Sequence, residues 1–97
     1  LKLPVISEEI GHAYHLFVVR LARRTALYNY LKTQQILYQI HYVPIHLHPY
    51  YQSLGFKKGQ FPKAEFFYET CMSIPLYPSM TDEQQDYVIE KIKLFFL

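Results

Sequence analysis

The sequence predicts a small α+β domain: three short strands in one mainly antiparallel sheet, with helices packed on one face. The length of 97 residues fits one domain. Two stretches alternate with period two and a third is a short apolar run, whereas the segments between and after them repeat at three and four. The resulting order, β-α-β-(short α)-α-β-α, suits a two-layer arrangement. Hydrophobic residues make up 51% of the chain, enough for a core. A domain this small buries only about 60–70% of its unfolded surface, so its stability is modest.

Residues 1–13 have no clear period, and Pro4 and Gly11 mark them as a linker arriving from elsewhere, with the folded domain over 14–97. Tyr14 to Leu21 is the first predicted strand. It is apolar on both faces, as a covered strand would be. From Arg23 to Gln34, Leu27, Tyr30 and Leu31 line one side of an amphipathic helix. Gln35 stands where a terminating glycine is usual, which leaves the following turn open. Ile36 to Val43 alternates again, with Ile36, Tyr38, Ile40 and Tyr42 on one face, until Pro44 removes a backbone donor. Pro49 to Leu54 fits one helical turn stopped by Gly55, and Phe56 to Phe61 reads as a flexible loop. Pro62 suits a first helical position, with helix over Lys63–Cys71 and a short strand over Met72–Leu76. Thr81 and Gln84 form a capping-box pattern for a last helix striped by Val88, Ile92 and Phe95.

Net charge is +2, too little for the basic stripe that nucleic acid requires. Arg20, Arg23 and Arg24 read as solvated surface charge. One cysteine, Cys71, leaves no internal disulfide and fits a reducing, cytoplasmic setting. No apolar run approaches a membrane span, and the first residues are not a signal peptide. The 10 tyrosines and 7 phenylalanines exceed what so small a core needs, which points to an aromatic surface facing a partner or another domain.

The densest chemistry lies in His41-Tyr42-Val43-Pro44-Ile45-His46-Leu47-His48-Pro49-Tyr50-Tyr51. On an extended segment His46 and His48 would point the same way and could share zinc, but Cys71 is distant and the nearest acid, Glu65, belongs to another element. Cys71, at a helix end before an apolar strand, reads as a buried structural thiol rather than a nucleophile. Ser73 and Ser79 have no matching base and acid nearby. Phosphate-cradling glycine loops are absent, and the paired acids are helix-surface residues. Two readings of the cluster stay open. His41, Tyr42 and His46 present hydrogen-bonding groups to a ligand; or the histidines cap neighbouring backbone groups and Tyr42 packs in the core.

The same string resembles the "HY-x-P-x-H-x-x-P-x-Y" segment of the DegT/StrS nucleotide-sugar aminotransferases. Other blocks resemble that family in the same order. They are His15-Leu16-Phe17-Val18-Val19-Arg20, the helix Arg24 to Leu31, Phe61-Pro62-Lys63-Ala64-Glu65, Ser73-Ile74-Pro75-Leu76-Tyr77-Pro78-Ser79-Met80-Thr81, and Asp86 to Ile89. The loop Phe56-Lys57-Lys58-Gly59 is most similar to transaminases of UDP-linked amino sugars for pseudaminic acid, used in flagellin and surface polysaccharide.

The resemblance, over roughly residues 12–96, implies the small C-terminal domain of a fold-type-I aminotransferase that uses pyridoxal phosphate. The lysine that carries the cofactor, and the acid that pairs with its pyridine nitrogen, then lie in a large domain outside this chain. None of Lys32, Lys57, Lys58 or Lys63 matches the lysine motif, so the 97 residues are expected to be inactive alone. It further implies glutamate as amino donor, a nucleotide-linked keto-deoxysugar as acceptor, a homodimer, and His46, Tyr42 and His41 on the substrate side. The rival expectation is a freestanding, non-catalytic binding domain derived from that family.

Overall fold

A computed structural model describes residues 1–97. Its elements are β1 (Phe17–Arg20), α1 (Arg24–Thr33), a single 3-10 turn (Ile45–Leu47), α2 (Pro49–Ser53), α3 (Pro62–Thr70), β2 (Cys71–Ile74) and α4 (Asp82–Phe95). The fold is α+β, but its sheet has two strands rather than three. β1 and β2 pair antiparallel, with Phe17 opposite Ile74, Val19 opposite Met72 and Arg20 opposite Cys71. The stretch expected to be a third strand contributes one bridge, Gln39 to Ser73. Ile36 is buried and Tyr38 half-buried as the alternation requires, but by Tyr42 the chain has left the sheet, and that side chain is 72% exposed. Pro44 has no N–H with which to resume the ladder.

Tyr14 has a positive φ of 48°, which breaks extended backbone and delays β1 to Phe17. On the opposite side of β1, Lys2 bridges Arg20 through reciprocal N–H···O bonds of 2.7 and 2.9 Å. The start of the 1–13 segment therefore lies on the sheet edge.

Side chains alternate across the two-stranded ribbon. On one face Val19 and Met72 are sealed, flanked by Phe17 and Ile74. They meet Leu27 and Leu31 of α1, Ile36, and Val88 of α4, which together form the core. Ile92 and Phe95 extend the α4 stripe at its edge. The other face carries Val18, Arg20, Cys71 and Ser73. Two of the three arginines expected to be solvated are structural braces. Arg24 donates to the Tyr68 carbonyl at 2.8 Å, and Arg20 donates to the Thr70 hydroxyl at 3.3 Å while stacking on Phe66 and Phe67. The end of α3 leaves carbonyls without intrahelical donors, and the Arg24 guanidinium satisfies that of Tyr68.

Helix ends follow local chemistry. Thr81 accepts from the Gln84 N–H, and the Gln84 side chain accepts from the Thr81 N–H, closing the expected capping box of α4. α1 ends without glycine: Gln35 itself takes φ 60°. The N–H of Ile36 bonds to the Leu31 carbonyl and that of Gln35 to the Lys32 carbonyl, the paired bonds of a Schellman turn. The turn thus forms at the cost of a left-handed side-chain-bearing residue.

Two substitutions test this account by urea unfolding. Leu31, fully sealed, is expected to cost about 2–5 kcal/mol on Leu31→Ala. Gln35→Gly is expected to raise stability by about 0.5–1 kcal/mol, because glycine removes the left-handed strain but adds freedom to the unfolded chain.

Candidate functional site

The histidine-rich stretch leaves the sheet at Gln39 and is shaped by two separate polar contacts. His41 is tied at both ring nitrogens: Nδ1 lies 2.9 Å from the Ser73 hydroxyl and Nε2 lies 2.8 Å from Gln39 Oε1. A carbonyl oxygen only accepts, so Nε2 carries the proton and Nδ1 accepts from Ser73. His41 thereby pins the chain to β2 beside the Gln39–Ser73 bridge. Tyr42 follows, across a cis peptide bond, with its ring edge-on to His41 at 4.6 Å. It does not enter the core.

His46 sits in the 3-10 turn and is turned inward, only 8% exposed. The turn also removes the extended geometry that would let His46 and His48 share a metal. His48 is exposed and donates to the Val43 carbonyl at 3.1 Å. No group of three His, Cys, Asp or Glu side chains is gathered closely enough to hold a metal ion. The structure therefore places His41 with Tyr42, while His46 faces a different neighbourhood.

That neighbourhood is built by the loop expected to be flexible. Glu65, in the first turn of α3, sends its carboxylate back over residues 59–61 and is buried. The Gly59 N–H donates to both carboxylate oxygens, at 2.8 and 3.0 Å, and the Phe61 N–H donates to Oε2 at 3.3 Å. Gly59 has φ +96°, which lets the backbone turn its N–H toward Glu65. His46 Nε2 lies 3.5 Å from the same Oε2, the one imidazole–carboxylate contact in the chain. Its ring meets Phe61 at 4.8 Å. The loop is thus held at both ends, and an acid assigned to another element by sequence is the centre of the site. The signal was present in Phe61-Pro62-Lys63-Ala64-Glu65: a proline that starts a helix, followed within the first turn by an acid able to reach back to bare N–H groups.

An open cavity of about 410 Å³ lies against this clamp, lined by Pro44, Ile45, His46, Tyr51, Phe56, Phe61 and Ala64. Tyr50, Tyr51, Phe56, Phe61 and His46 touch in series, ring to ring, with centroids 4.8–6.4 Å apart. The wall is apolar with one imidazole set into it. Such a wall suits a ligand that is part ring and part hydroxyl.

Protonation states follow from these contacts. The Gly59 N–H bond, helped by Phe61 and His46 and opposed by burial, holds the Glu65 carboxyl below its ordinary 4.5. Burial pushes the Cys71 thiol above its ordinary 9.0, against the pull of Arg24, so it is a protonated core group as expected. Away from the cavity, Tyr38 is pushed up to about 12 by burial, then by Tyr28, with Arg24 opposing.

The fold and this wall can be set beside known proteins. Residues 1–93 match the DegT/DnrJ/EryC1/StrS aminotransferase family. This chain belongs to that family. It is 37% identical to the spore coat polysaccharide biosynthesis protein SpsC of Bacillus subtilis, over 93% of this chain and 25% of the relative. It is 35% identical to the dTDP-3-amino-3,4,6-trideoxy-alpha-D-glucose transaminase of Streptomyces venezuelae, over 94% of this chain and 24% of the relative. The structure of S. venezuelae DesV in complex with a ketimine intermediate superposes with a TM-score of 0.91 at 34% identity, covering 97% of this chain and 26% of DesV. The chain spans about a quarter of the length of the curated relatives it matches. No helix is long and apolar enough to cross a membrane.

The Glu65 clamp gives a pH test. A carboxyl held low when folded contributes stability that is fully present above its unfolded value near 4.5 and is lost as pH falls through the lower folded value. The unfolding midpoint of the wild type is expected to drop more steeply below pH 4.5 than that of Glu65→Gln, measured by denaturant titration across acid pH.

Proposed function

We propose that this chain is the C-terminal domain of a pyridoxal-phosphate-dependent aminotransferase that moves an amino group from glutamate to a nucleotide-linked keto-deoxysugar for surface polysaccharide or flagellin glycan. The observation that carries the domain's own part is the cavity at His46: an aromatic wall bearing one inward imidazole, in a chain of a sugar-aminotransferase family. The functions that SpsC and the S. venezuelae transaminase are named for support the substrate class.

The residues present do not themselves fit the cofactor. The cavity has no lysine in its lining, and the Glu65 carboxylate is already committed to Gly59, Phe61 and His46. Carrying the cofactor falls to the part of the enzyme beyond these 97 residues, so the isolated chain is not expected to transaminate. Two subunits paired in the full-length enzyme, and a cytoplasmic location, complete the reading that the resemblance supports.

What this domain does is position and exclude. Tyr51, Phe56 and Phe61 offer ring faces to the sugar and keep water from one side of it. His46 supplies the polar contact that fixes the sugar's orientation, and the exposed Tyr42 offers a hydroxyl beyond the sheet edge, next to His41, which holds it there. Orientation of this kind contributes to rate by holding the reacting carbon in place.

In the full-length enzyme, His46→Ala is expected to lower kcat/KM for the nucleotide sugar about tenfold or more, the scale of one buried polar contact. Cofactor content, read from its absorbance, is expected to stay at the wild-type level. Loss of cofactor in this variant would contradict a substrate-side role.

A further inference from the structure

The wall needs His46 in one orientation and one protonation form, and the chain contains a group that sets both. His46 Nε2 is sealed from solvent and makes no hydrogen bond of good geometry, yet Glu65 Oε2 stands 3.5 Å away. The other carboxylate contacts, from Gly59 and Phe61, are all N–H donors, so the group acts throughout as an acceptor. Its low proton affinity keeps it in that form at neutral pH. The ring cannot swing away freely: it lies edge-on to Phe61, whose own N–H is held by the same oxygen. Long hydrogen bonds of this kind are usual in unliganded sites and tighten when ligand arrives.

Resting on the substrate-side reading of His46, we infer that Glu65 is a positioning residue of the sugar site: it keeps the His46 proton on Nε2, which leaves Nδ1 as an acceptor for a sugar hydroxyl. In the neutral ring one nitrogen donates and the other accepts, and a carboxylate facing Nε2 selects the donor there. No hydrogen bond within the chain involves His46 Nδ1, and unlike Nε2 it is not sealed from solvent. The arrangement gives specificity as well as orientation. A fixed acceptor rewards a sugar that carries a hydroxyl at the matching position and leaves Nδ1 unpaired against a deoxy sugar lacking it. Glu65 touches no substrate; it acts through His46 and through the Gly59–Phe61 loop that completes the aromatic wall.

Glu65→Gln separates the two duties. The glutamine oxygen takes the Oε2 place, where Gly59, Phe61 and His46 all face it, so the loop stays anchored. The contact with His46 loses its charge assistance, so the bias of the proton toward Nε2 weakens and the ligand-facing acceptor is less firmly set.

The test uses the full-length enzyme, with 15N-labelled histidine and with sugar-nucleotide kinetics for His46→Gln, Glu65→Gln and the double variant. The wild-type His46 signals are expected to report the Nε2–H form, and those of Glu65→Gln a mixture in which the Nδ1–H form is more populated. Glu65→Gln is expected to lower kcat/KM about fivefold, mainly through KM, the scale of lost charge assistance. In the His46→Gln background the same change is expected to add little, as for residues acting as a unit. An Nδ1–H ring in the wild type overturns the inference, even if Glu65→Gln fails to fold. So does a Glu65→Gln effect that is undiminished in the His46→Gln background, which makes Glu65 a purely structural clamp. Full activity in Glu65→Gln alongside an impaired His46→Gln also overturns it, and leaves the substrate-side role of His46 standing. Full activity in His46→Gln removes that role itself.

Discussion

Four residue pairs, from Phe17–Ile74 to Arg20–Cys71, carry the long-range order of this chain. They join segments more than fifty residues apart in sequence, so closing that loop costs entropy before any contact repays it. Once made, the register decides both faces. Val19 and Met72 meet on the side that α1 and α4 cover, and the sealed Leu27 and Leu31 complete the core there. A slip of one residue would send these side chains to the opposite face and bring Arg20 and Ser73 into the core. The face that remains holds Ser73, which fixes His41, and Arg20, which donates to Thr70 at the end of α3.

The second constraint is the need to satisfy backbone groups where regular structure stops. Polar side chains do this at two junctions, Arg24 at the end of α3 and Glu65 over the loop before α3, while His41 ties the Ser73 and Gln39 side chains where the chain leaves the sheet. The two charged groups take up backbone groups that would otherwise be bare. In a domain with so few fully buried residues these contacts set the path of the irregular segments as firmly as the apolar core sets the helices. The site is a by-product of one of them. The acid that anchors the loop is the acid that confronts His46.

The aromatic series from Tyr50 to Phe61 is largely open to solvent in this chain. Such a surface is costly unless covered. It lines the open cavity beside His46. In the role proposed for it, the domain contributes shape and orientation.

Local chemistry was legible in the residues themselves. Thr81 with Gln84 determined the start of α4, Pro62 that of α3, and the spacing of Leu27 and Leu31 the buried side of α1, because each depends on neighbours within one helical turn. The motif string also marked His41, Tyr42 and His46, and its likeness to the family was confirmed over almost the whole chain. Tertiary structure decided what those residues do locally. The alternation of Ile36 to Val43 implied a strand, but pairing requires a partner edge, and beyond Gln39 the side-chain bonds of His41 replace the ladder. Arg20 and Arg24 looked like surface charge because the carbonyl and hydroxyl that hold them lie more than forty residues away. His46 and Glu65 meet only when the 3-10 turn and α3 are folded side by side. No periodicity encodes a contact between two elements whose distance is set by packing, and that contact is the centre of the site.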